Sequence, residues 1–395
     1  MAETADVVVV GGGVNGTSIA YALAARGAKV TLLEKGALAS GASGYSSALV
    51  RMHYTNETDA RLAFASFPVF RNWTEIMGGP PVFTHTGFVT VVAPEYAENL
   101  RRNVEMLRAI GVNTTALSPK ELKDLQPFVN VDDVGAAAWE PDSGYASPAE
   151  TVDGFRRRAK DLGARIGPST EVTRVVREGH RVLGVETTGG RVDAGAVVVA
   201  AGAWAPRLCR ELGLPLPARP KGIDTVQVTR PPEVPRHMVF IDNIQGSYFR
   251  IESGILTLVG VPCQEWDIDP DGPLALPADA PAVGAQILTH RIPGMERATL
   301  ARGYRAFDCY SGDRFAILGP VDGVDGLYLA TAFSGSGFKI APAVGTCMAE
   351  LILDGRAKTV DIEPFNLRRF AEGRSPQGPY PYAPRLDQVD PPRPA

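Results

Sequence analysis

The sequence predicts an α/β protein in which one domain is built on a parallel sheet and a second, α+β domain on a mixed, mainly antiparallel sheet. Residues 5–35 read as strand, glycine turn, helix and strand. Short apolar strands followed by helices return at residues 164–212 and 316–353, whereas residues 215–305 contain successive strands without long helices between them. Strands that alternate with helices favour a parallel sheet, and strands that follow one another directly favour an antiparallel one.

The opening unit predicts a dinucleotide site of the Rossmann type. The apolar run Val7–Val10 is typical of a buried parallel strand, and it leads into the G-x-G-x-x-G pattern of Gly11, Gly13 and Gly16. The first glycine permits the tight turn, the second lets the backbone approach a pyrophosphate, and the third lets helix and strand pack closely. The start of the helix holds the phosphates, and Glu34 after the next strand accepts from ribose hydroxyls. The predicted contacts in this unit are Gly11, Gly13, Val14, Asn15, Gly16, Glu34 and Lys35.

Composition and charge narrow the class of protein. The chain has 395 residues, 45% of them hydrophobic, and a net charge of −4 without a dense run of Lys or Arg. This argues against nucleic acid or an anionic membrane as the main partner. No apolar run approaches the roughly 18 residues of a membrane span, and the N-terminus enters the first strand directly, so a cytoplasmic protein without a signal peptide is expected. The four cysteines and five histidines are scattered, which predicts reduced thiols and no metal site.

A small, polar segment follows Glu34. Residues 36–47 are rich in Gly, Ala and Ser, and small side chains leave backbone N–H groups open to a cofactor; an ordinary surface loop is the alternative. Arg51 follows three largely apolar residues, where a cation is expected to pair with an anion. The predicted cofactor contacts in this segment are Ser43, Ser46, Ser47 and Ala48.

The middle of the chain is assigned from hydrophobic periodicity and turn residues. The predicted helices are 56–76, 95–110, 118–125, 151–162, 206–212 and 285–292. The predicted strands are 82–92, 164–166, 171–176, 181–187, 191–194, 196–204, 224–229, 237–241, 247–251, 255–259, 316–319 and 327–331. Residues 139–148 read as a turn-rich crossover.

Two later segments are predicted to contact the cofactor. The buried strand that begins at residue 196 ends on small residues at a glycine turn, and a second glycine turn at 333–340 precedes a helix predicted at 341–353. Small residues at a strand end allow a cofactor to approach the backbone. The predicted contacts in these segments and in the strand at 171–176 are Val172, Ala201, Gly202, Trp204, Gly335, Gly337, Phe338 and Lys339.

The predicted domains are discontinuous in sequence. Residues 1–80, 145–220 and 307–372 form the cofactor-binding domain, and residues 81–144 and 221–306 form the substrate-binding domain. Residues 373–395 form a Pro-rich C-terminal tail, in which seven of the last 21 residues are proline. Such a composition predicts an extended or disordered segment with little bearing on the chemistry.

Several separated segments together resemble one family, the FAD-dependent amine and amino-acid oxidoreductases typified by D-amino acid oxidase, glycine oxidase and sarcosine oxidase. The segment GGGVNG…LLEK is similar to the FAD fingerprint of this family, and GASGYSSALVR to its glycine/serine loop beside the flavin. VVVAAGAWAP resembles the strand that closes over the cofactor, and GLYLATAFSGSGFKIAPAVG the C-terminal flavin-contacting turn and helix. The sarcosine oxidase and dimethylglycine dehydrogenase branch is the most similar, because of Arg51 and the G-F-K-I run at Lys339.

The resemblance implies a carboxylate clamp over the flavin. In that branch an arginine and a lysine that match Arg51 and Lys339 hold the substrate carboxylate, the first through a bidentate contact and the second as a point charge. The implied reaction is oxidation of the C–N bond of a carboxylate-bearing secondary or tertiary amine, such as an N-methyl or cyclic amino acid, by hydride transfer to flavin N5. Water hydrolyses the resulting imine unless a ring retains it, and O2 or another acceptor reoxidises FAD. Homo- and hetero-oligomers are both left open.

The chain also departs from the branch. The monomeric sarcosine oxidases carry a lysine linked to oxygen activation where the nearest residue here is Thr257, so direct use of oxygen is not implied. Those enzymes bind FAD covalently through a cysteine, and Cys309 lies about three residues from the matching place, where Ala306 falls, so non-covalent FAD is expected. The arginine and histidine that precede the first clamp residue are replaced by Tyr45–Ala48, and the histidine that carries a covalent FMN in the heterotetrameric enzymes has no counterpart around residues 143–147.

Aromatic residues are candidates for the pocket wall, since cation–π attraction and exclusion of water both favour an amine beside a flavin. The candidates are Tyr248, Phe249, Tyr304 and Tyr310. His53 and His85 are candidate bases, although an isolated histidine is more often structural and the chemistry needs no strong base if the amine binds neutral. The predicted catalytic residues are Arg51, Lys339, Tyr248, Thr257, His53 and Tyr310.

Three other functions remain open from the sequence. A 2-hydroxy acid dehydrogenase would use the same carboxylate clamp. A non-catalytic, flavin-binding regulatory subunit would keep the fold without the clamp. An NAD(P)-dependent dehydrogenase would share the opening unit, but the GSGFKIAP segment counts against it.

Overall fold

The computed structural model describes residues 3–382 of the chain. The strands, in chain order, are β1 Glu3–Val10, β2 Val30–Leu33, β3 Leu49–Val50, β4 Phe83–His85, β5 Phe88–Val92, β6 Thr115–Leu117, β7 Ala136–Glu140, β8 Gly144–Ala146, β9 Arg165–Gly167, β10 Val172–Glu178, β11 Arg181–Thr187, β12 Gly190–Val199, β13 Ala218–Thr229, β14 Val239–Asp242, β15 Ser247–Ile251, β16 Leu256–Val261, β17 Thr299–Ser311, β18 Ile317–Pro320 and β19 Leu327–Thr331.

Helices connect and cover these strands. The α-helices found within residues 3–382 are α1 Val14–Ala25, α2 Glu57–Arg71, α3 Trp73–Met77, α4 Ala97–Ile110, α5 Pro119–Leu125, α6 Pro148–Asp161, α7 Ala205–Glu211, α8 Ala280–Arg291 and α9 Gly337–Asp354. Short 3-10 turns lie at Pro94–Tyr96, Gly202–Trp204, Pro293–Arg297, Glu363–Phe365 and Leu367–Phe370. None of the helices in this described part of the chain is both long and apolar enough to cross a membrane.

The first sheet contains the predicted parallel core. Its strand order is β10-β11-β12-β1-β2-β9, and β19 pairs with β12 and β18. The pairs β1/β12, β1/β2, β2/β9 and β12/β19 are parallel. Val7–Val10 are all buried, because β1 lies between two strands and is covered on both faces.

The second sheet is mixed and mainly antiparallel, as predicted. Its order is β17-β13-β16-β15-β14-β5-β7-β6, and the contact between β14 and β5 is parallel. The helix α8 packs on one face through Ile287 and Leu288, which join a core with Val226, Val259 and Phe240. A small third sheet has the strand order β3-β8-β4.

Several elements differ from the sequence-based expectations, and three of these differences bear on the site. The 13-residue strand β17 was not predicted; its first five residues, 299–303, are exposed, so no apolar alternation marks it. Residues 139–148, expected to form a crossover, contain the end of β7 and all of β8. Helix α9 begins at Gly337, within the expected glycine turn, and accommodates Pro342 in its interior.

The predicted domain boundaries remain a prediction. Those at 220/221 and 306/307 fall inside β13 and β17, which pair with each other from Ala218↔Ser311 to Thr229↔Thr299. These two long strands therefore run continuously across both boundaries.

Close packing of α1 and α9 brings the two ends of the site together. Ser18 Oγ donates to the Ala341 carbonyl (2.8 Å), and Asn15 Nδ2 donates to the Gly337 carbonyl (3.3 Å). A Cβ at Gly345 would overlap Ser18, so the helices can cross this closely only with glycine there. The first turn of α9, which carries Lys339, is thereby held against the helix that follows the glycine motif.

Candidate active site

One cavity of about 940 Å³ runs between the first sheet and the second sheet. It is lined by the glycine turn after β1, the serine loop at 40–47, the end of β12, the start of α9, and residues of β15 and β17. Most of the predicted site residues therefore share one space, although they come from segments far apart in sequence.

The glycine turn has the geometry that the motif predicts. Gly11 has φ +114°, and a Cβ there would overlap the Ala200 carbonyl oxygen. Gly16 does not line the cavity, but a Cβ on it would overlap the Gly11 carbonyl oxygen. Gly13 lines the cavity, and a Cβ there would lie 3.0 Å from Ser43 Oγ. The glycine turn, the start of α1 and the serine loop therefore pack so closely that these three positions have no room for a side chain.

Two side chains organise the backbone at this end of the cavity. The Val14 N–H, at the start of α1, donates to Ser43 Oγ (2.9 Å). The Glu34 carboxylate accepts from the Gly12 N–H (2.7 Å) and, through its other oxygen, from the Gly36 N–H (2.8 Å). Each carboxylate oxygen has further lone-pair capacity, so Glu34 is placed to accept from a ribose.

A charged and aromatic cluster lies at the rim of the same end. Lys35 Nζ lies 4.1 Å from the centroid of the Trp204 ring and pairs with Asp271. Trp204 Nε1 donates to Asp271 Oδ1 (3.0 Å), and Arg207 donates to Asp271 Oδ2 (3.3 Å). Asp271 was not predicted from the sequence; it draws the loop before α8 onto the predicted residues Lys35 and Trp204.

The remaining predicted cofactor residues lie on the cavity wall, with one exception. Those that line it are Val14, Asn15, Ser46, Ser47, Val172, Ala201, Gly202, Gly335, Gly337 and Phe338. The exception is Ala48, which is buried with φ +50° and whose N–H donates to Ser46 Oγ (3.0 Å). Ala48 therefore shapes the turn into β3 and does not contact the cavity.

These features fit FAD. A glycine cradle closed to side chains leaves room for a pyrophosphate, the first turn of α1 supplies backbone N–H groups, and Glu34 supplies a ribose acceptor. The cavity continues from this cradle to Tyr248, Tyr310 and Lys339, so a flavin ring would reach these three of the predicted catalytic residues.

Arg51 and Lys339 approach one tyrosine ring. Arg51 Cζ lies 4.5 Å from the centroid of Tyr54, and Lys339 Nζ lies 5.8 Å from the same centroid. Arg51 also donates to the His53 carbonyl and lies 5.7 Å from the Phe88 ring centroid. Two cations on one aromatic ring at the end of a cavity form a binding place for an anion. Tyr54, which was not predicted, lines the cavity beside both cations.

Lys339 is buried and only lightly hydrogen-bonded. Its Nζ donates to the Gly335 carbonyl (3.3 Å), in the turn just before α9. Burial and, to a smaller extent, the nearby Arg51 charge lower the pKa of Lys339 to about 7, although Asp59 and Asp308 oppose both effects. The ammonium of Lys339 is therefore poised to gain stability from an incoming anion.

Two acids face Lys339, the buried Asp59 and the partly buried Asp308, and neither was predicted. Burial raises the pKa of each carboxyl to about 6, and the Lys339 charge lowers it. Asp59 accepts from Asn56 Nδ2 (2.8 Å), and Asp308 accepts from the Gly335 N–H (2.8 Å). Asp59 lies in the first turn of α2, where an acid reads as an ordinary helix-capping residue, and Asp308 lies on the unpredicted strand β17.

Two of the four aromatic candidates form the wall. Tyr248 and Tyr310 line the cavity. Phe249 does not, because it faces the opposite side of β15 and stacks on Phe240 with ring centroids 4.8 Å apart. Tyr304 also lies off the wall, with its ring centroid 5.8 Å from that of Tyr45.

The structure places His53 and Thr257 away from the cavity, which corrects two of the predicted catalytic residues. His53 is buried, which lowers its pKa to about 3, and its Nε2 lies 2.5 Å from the Tyr382 hydroxyl. Thr257 Oγ1 lies 3.0 Å from His237 Nε2, on the face of β16 that carries Val259 into the core. A side chain on that face cannot reach the cavity, because alternate residues of a strand point to opposite faces. His85, the other candidate base, also lies off the cavity wall, and its Nε2 lies 2.5 Å from the Pro141 carbonyl oxygen.

No cysteine or histidine lines the cavity, and all nine of these residues lie within the described range of 3–382. Cys309, the residue nearest the expected attachment point, is 1% exposed and packs in a core below the sheet. Ala306 occupies the wall position instead. The side chains at the wall therefore offer neither a thiol nor an imidazole for covalent attachment of a flavin.

The C-terminal segment also reaches the cavity, contrary to the expectation that it bears little on the chemistry. Gln377, Pro381 and Tyr382 line the cavity on the side of Arg51. Residues 383–395 of the predicted tail lie outside the described part of the chain. Across residues 3–382, no group of three or more His, Cys, Asp or Glu side chains is arranged to hold a metal ion.

Comparison with known proteins places the chain in a family. A profile of the DAO family, described as FAD dependent oxidoreductase, matches residues 6–351. FAD-dependent oxidoreductase domain-containing protein 1 of Xenopus laevis is 30% identical, over 93% of this chain and 83% of the relative. Sarcosine oxidase subunit beta of Rhodobacter capsulatus is 26% identical, over 93% and 89% of the two chains. The crystal structure of L-proline dehydrogenase from P. horikoshii matches with a TM-score of 0.87 and 28% identity, over 95% of this chain and 100% of that one.

These matches confirm the predicted resemblance, the predicted fold class and FAD as the cofactor. The matched residues include the glycine cradle, the serine loop, Arg51 and Lys339. The chain belongs to the DAO family and is an FAD-dependent oxidoreductase of the amino-acid oxidase and dehydrogenase type.

Proposed function

We propose that this protein oxidises the C–N bond of a small, carboxylate-bearing secondary or tertiary amine, such as an N-methyl or cyclic amino acid. The observation that supports this most is the pair of cations, Arg51 and Lys339, beside the Tyr54 ring at the end of the cavity. The relatives agree in chemistry: sarcosine is an N-methyl amino acid, and L-proline is a cyclic one.

The clamp orients the substrate. A carboxylate between Arg51 and Lys339 would leave the α-carbon and the amine directed along the cavity toward the space for the flavin. FAD supplies the hydride acceptor that turns the C–N bond into an imine. The aromatic rings of Tyr54, Tyr248 and Tyr310 line this part of the cavity and exclude water from the reacting bond.

The amine must be neutral when its α-hydrogen leaves as hydride. His53 cannot take the amine proton, since it lies off the cavity wall and its pKa falls to about 3 through burial. Asp59 lines the cavity, is buried, and has one carboxylate oxygen, Oδ1, without a hydrogen-bond partner among the described residues. We assign Asp59 the role of holding this proton, while Asp308 remains bonded to the turn at Gly335.

We also propose that FAD binds without a covalent bond, because the cavity wall carries no cysteine or histidine among the residues described. The electron acceptor and the state of assembly are properties to be measured. Reoxidation of the reduced enzyme by O2 and by an artificial acceptor, compared directly, would distinguish an oxidase from a dehydrogenase.

An anaerobic screen tests the proposed function. Purified protein is mixed with N-methyl, cyclic and primary amino acids and with 2-hydroxy acids, and loss of flavin absorbance is followed. We expect bleaching by secondary or tertiary amino acids, and its loss in Arg51→Gln and Lys339→Gln. Arg61→Gln is the matched control, because Arg61 is an exposed cation on α2 that pairs with Glu57. Flavin that stays oxidised with every amine, or bleaches only with hydroxy acids, would overturn the proposal.

A further inference from the structure

The C-terminal segment Gln377–Tyr382 packs against the chain just beyond Arg51. Gly378 is buried, and a Cβ on it would overlap the Thr55 carbonyl oxygen. The backbone of this segment therefore lies directly on the backbone that leads from Arg51 into α2. Such an approach requires glycine at the contact.

Two asparagines of α4 hold the same segment from the other side. Asn99 Nδ2 donates to the Pro381 carbonyl (2.7 Å), and Asn103 Nδ2 donates to the Tyr380 carbonyl (2.8 Å). Asn103 is 1% exposed, so its amide is committed to this contact. Side-chain amides that bind successive carbonyls fix an irregular segment in place of a ladder of backbone hydrogen bonds.

Tyr382 connects the segment to Arg51 through His53. The Tyr382 hydroxyl lies 2.5 Å from His53 Nε2, and the two rings stack with centroids 5.7 Å apart. His53 in turn accepts from Arg51 through its backbone carbonyl. Burial raises the pKa of the Tyr382 hydroxyl and lowers that of His53, so a neutral hydroxyl and a neutral imidazole share this hydrogen bond.

We propose that residues 377–382 are part of the substrate site, and that Tyr382 is a positioning residue that orients Arg51 through His53. Gln377, Pro381 and Tyr382 line the cavity beside the clamp, so removal of the segment would open that end to water. The inference rests on the proposed function only in taking Arg51 as a carboxylate ligand. It assigns to the C-terminal segment a part in substrate binding.

Three variants test the inference. A stop codon after Pro376 removes the segment, and a stop codon after Tyr382 is the matched control that removes only residues 383–395. Tyr382→Phe removes the hydroxyl alone. Each protein is titrated with pivalate, a carboxylate that has neither an amine nor an α-hydrogen, and binding is followed by the perturbation of the flavin absorbance. FAD content and thermal stability are recorded for each protein.

We expect the control to bind pivalate as the full chain does. Truncation after Pro376 should raise the Kd of pivalate by roughly tenfold or more with FAD retained, and Tyr382→Phe should raise it by roughly three- to tenfold, the range of one lost hydrogen bond. The KM for an amine substrate should rise by a similar factor with a smaller change in kcat, whereas a merely structural role would change FAD content and melting temperature instead.

An unchanged Kd in both Tyr382→Phe and the truncation after Pro376 would overturn the inference. If that truncated chain does not fold, Tyr382→Phe alone decides: a raised Kd with normal FAD content supports the inference, and an unchanged Kd refutes it. The titration needs no turnover, so its result is separate from the anaerobic screen. A full chain that binds pivalate but is bleached by no amine would refute the proposed function and leave the positioning role standing.

Discussion

Carboxylate binding should depend on pH through Lys339. Burial lowers the pKa of this lysine from 10.5 to about 7, so near neutral pH the free site is only partly charged. A bound carboxylate favours the ammonium form and raises the pKa again. Affinity should therefore fall once the pH exceeds the pKa of Lys339.

The other charged groups that face Lys339 allow its effect to be isolated. Asp59 and Asp308, with pKa values of about 6, are ionised above neutral pH. Between about pH 7 and pH 9 only Lys339 changes charge, and its protonated fraction falls to roughly 1%. The protonated fraction at pH 7 is about one half, so the Kd of a carboxylate should rise by up to about 50-fold over this interval, approaching tenfold per pH unit at its upper end.

Pivalate is the suitable probe, because it stays ionised throughout this interval and has no amine that titrates. The wild type should show a rising Kd above about pH 7. Lys339→Met should bind weakly at neutral pH and lose the dependence, and Arg61→Gln should behave as the wild type does. A flat profile between about pH 7 and pH 9 in the wild type, or the same rise in Lys339→Met, would refute the assignment.

Three further outcomes are expected. Lys339→Met should raise the free energy of unfolding at pH 7 by up to roughly 4 kcal/mol, because the lowered pKa of the lysine opposes folding at every pH below 10.5. Chemical denaturation measures this change, and an unchanged free energy of unfolding would contradict the burial argument. Gly16→Ala should abolish FAD binding, since its Cβ would overlap the Gly11 carbonyl, whereas Gly195→Ala, whose Cβ would meet only the Asp6 carbonyl at 3.6 Å, should retain FAD; the flavin content of the purified proteins decides. Acid precipitation should release all FAD into the supernatant from both the wild type and Cys309→Ala, and flavin retained in the pellet would contradict non-covalent binding.

The dinucleotide end of the site could be predicted from the sequence, because its constraints act between residues that are close in the chain. Gly16 must be glycine because a Cβ there would overlap Gly11, five positions earlier. Glu34 accepts a hydrogen bond from the glycine turn, and only α1 and β2 separate the two in the sequence. Constraints of this kind leave a fixed spacing in the sequence. The FAD fingerprint is therefore readable without knowledge of the rest of the fold.

The faces of the strands in the second sheet could not be predicted in the same way. In β16 the first residue is partly buried and the next five are buried, and in β15 four of the five residues are buried. When both faces are covered, apolar alternation no longer shows which side chains point toward a cavity. Thr257 was assigned to the wrong face for this reason. Tyr248 lines the cavity but Phe249, the next residue, does not, because a shift of one position along a strand moves the side chain to the opposite face.

The substrate end depends on charges that meet only in the folded chain. Arg51 and Lys339 were predicted through a family resemblance, but the acids that face Lys339 left no signal, since Asp59 reads as a helix-capping residue and Asp308 lies on a polar edge strand. A buried ammonium beside a guanidinium is unstable unless carboxylates offset it. With Lys339 protonated and both acids ionised, the two cations and two anions balance, and a carboxylate binds without proton uptake. When the lysine is neutral, a bound carboxylate adds to an excess of negative charge, and the site offsets it by taking up a proton on Lys339. Above the pKa of Lys339 that proton must come from solvent or from the substrate ammonium. In the second case, Lys339 would take up the amine proton that Asp59 holds when the lysine is already protonated.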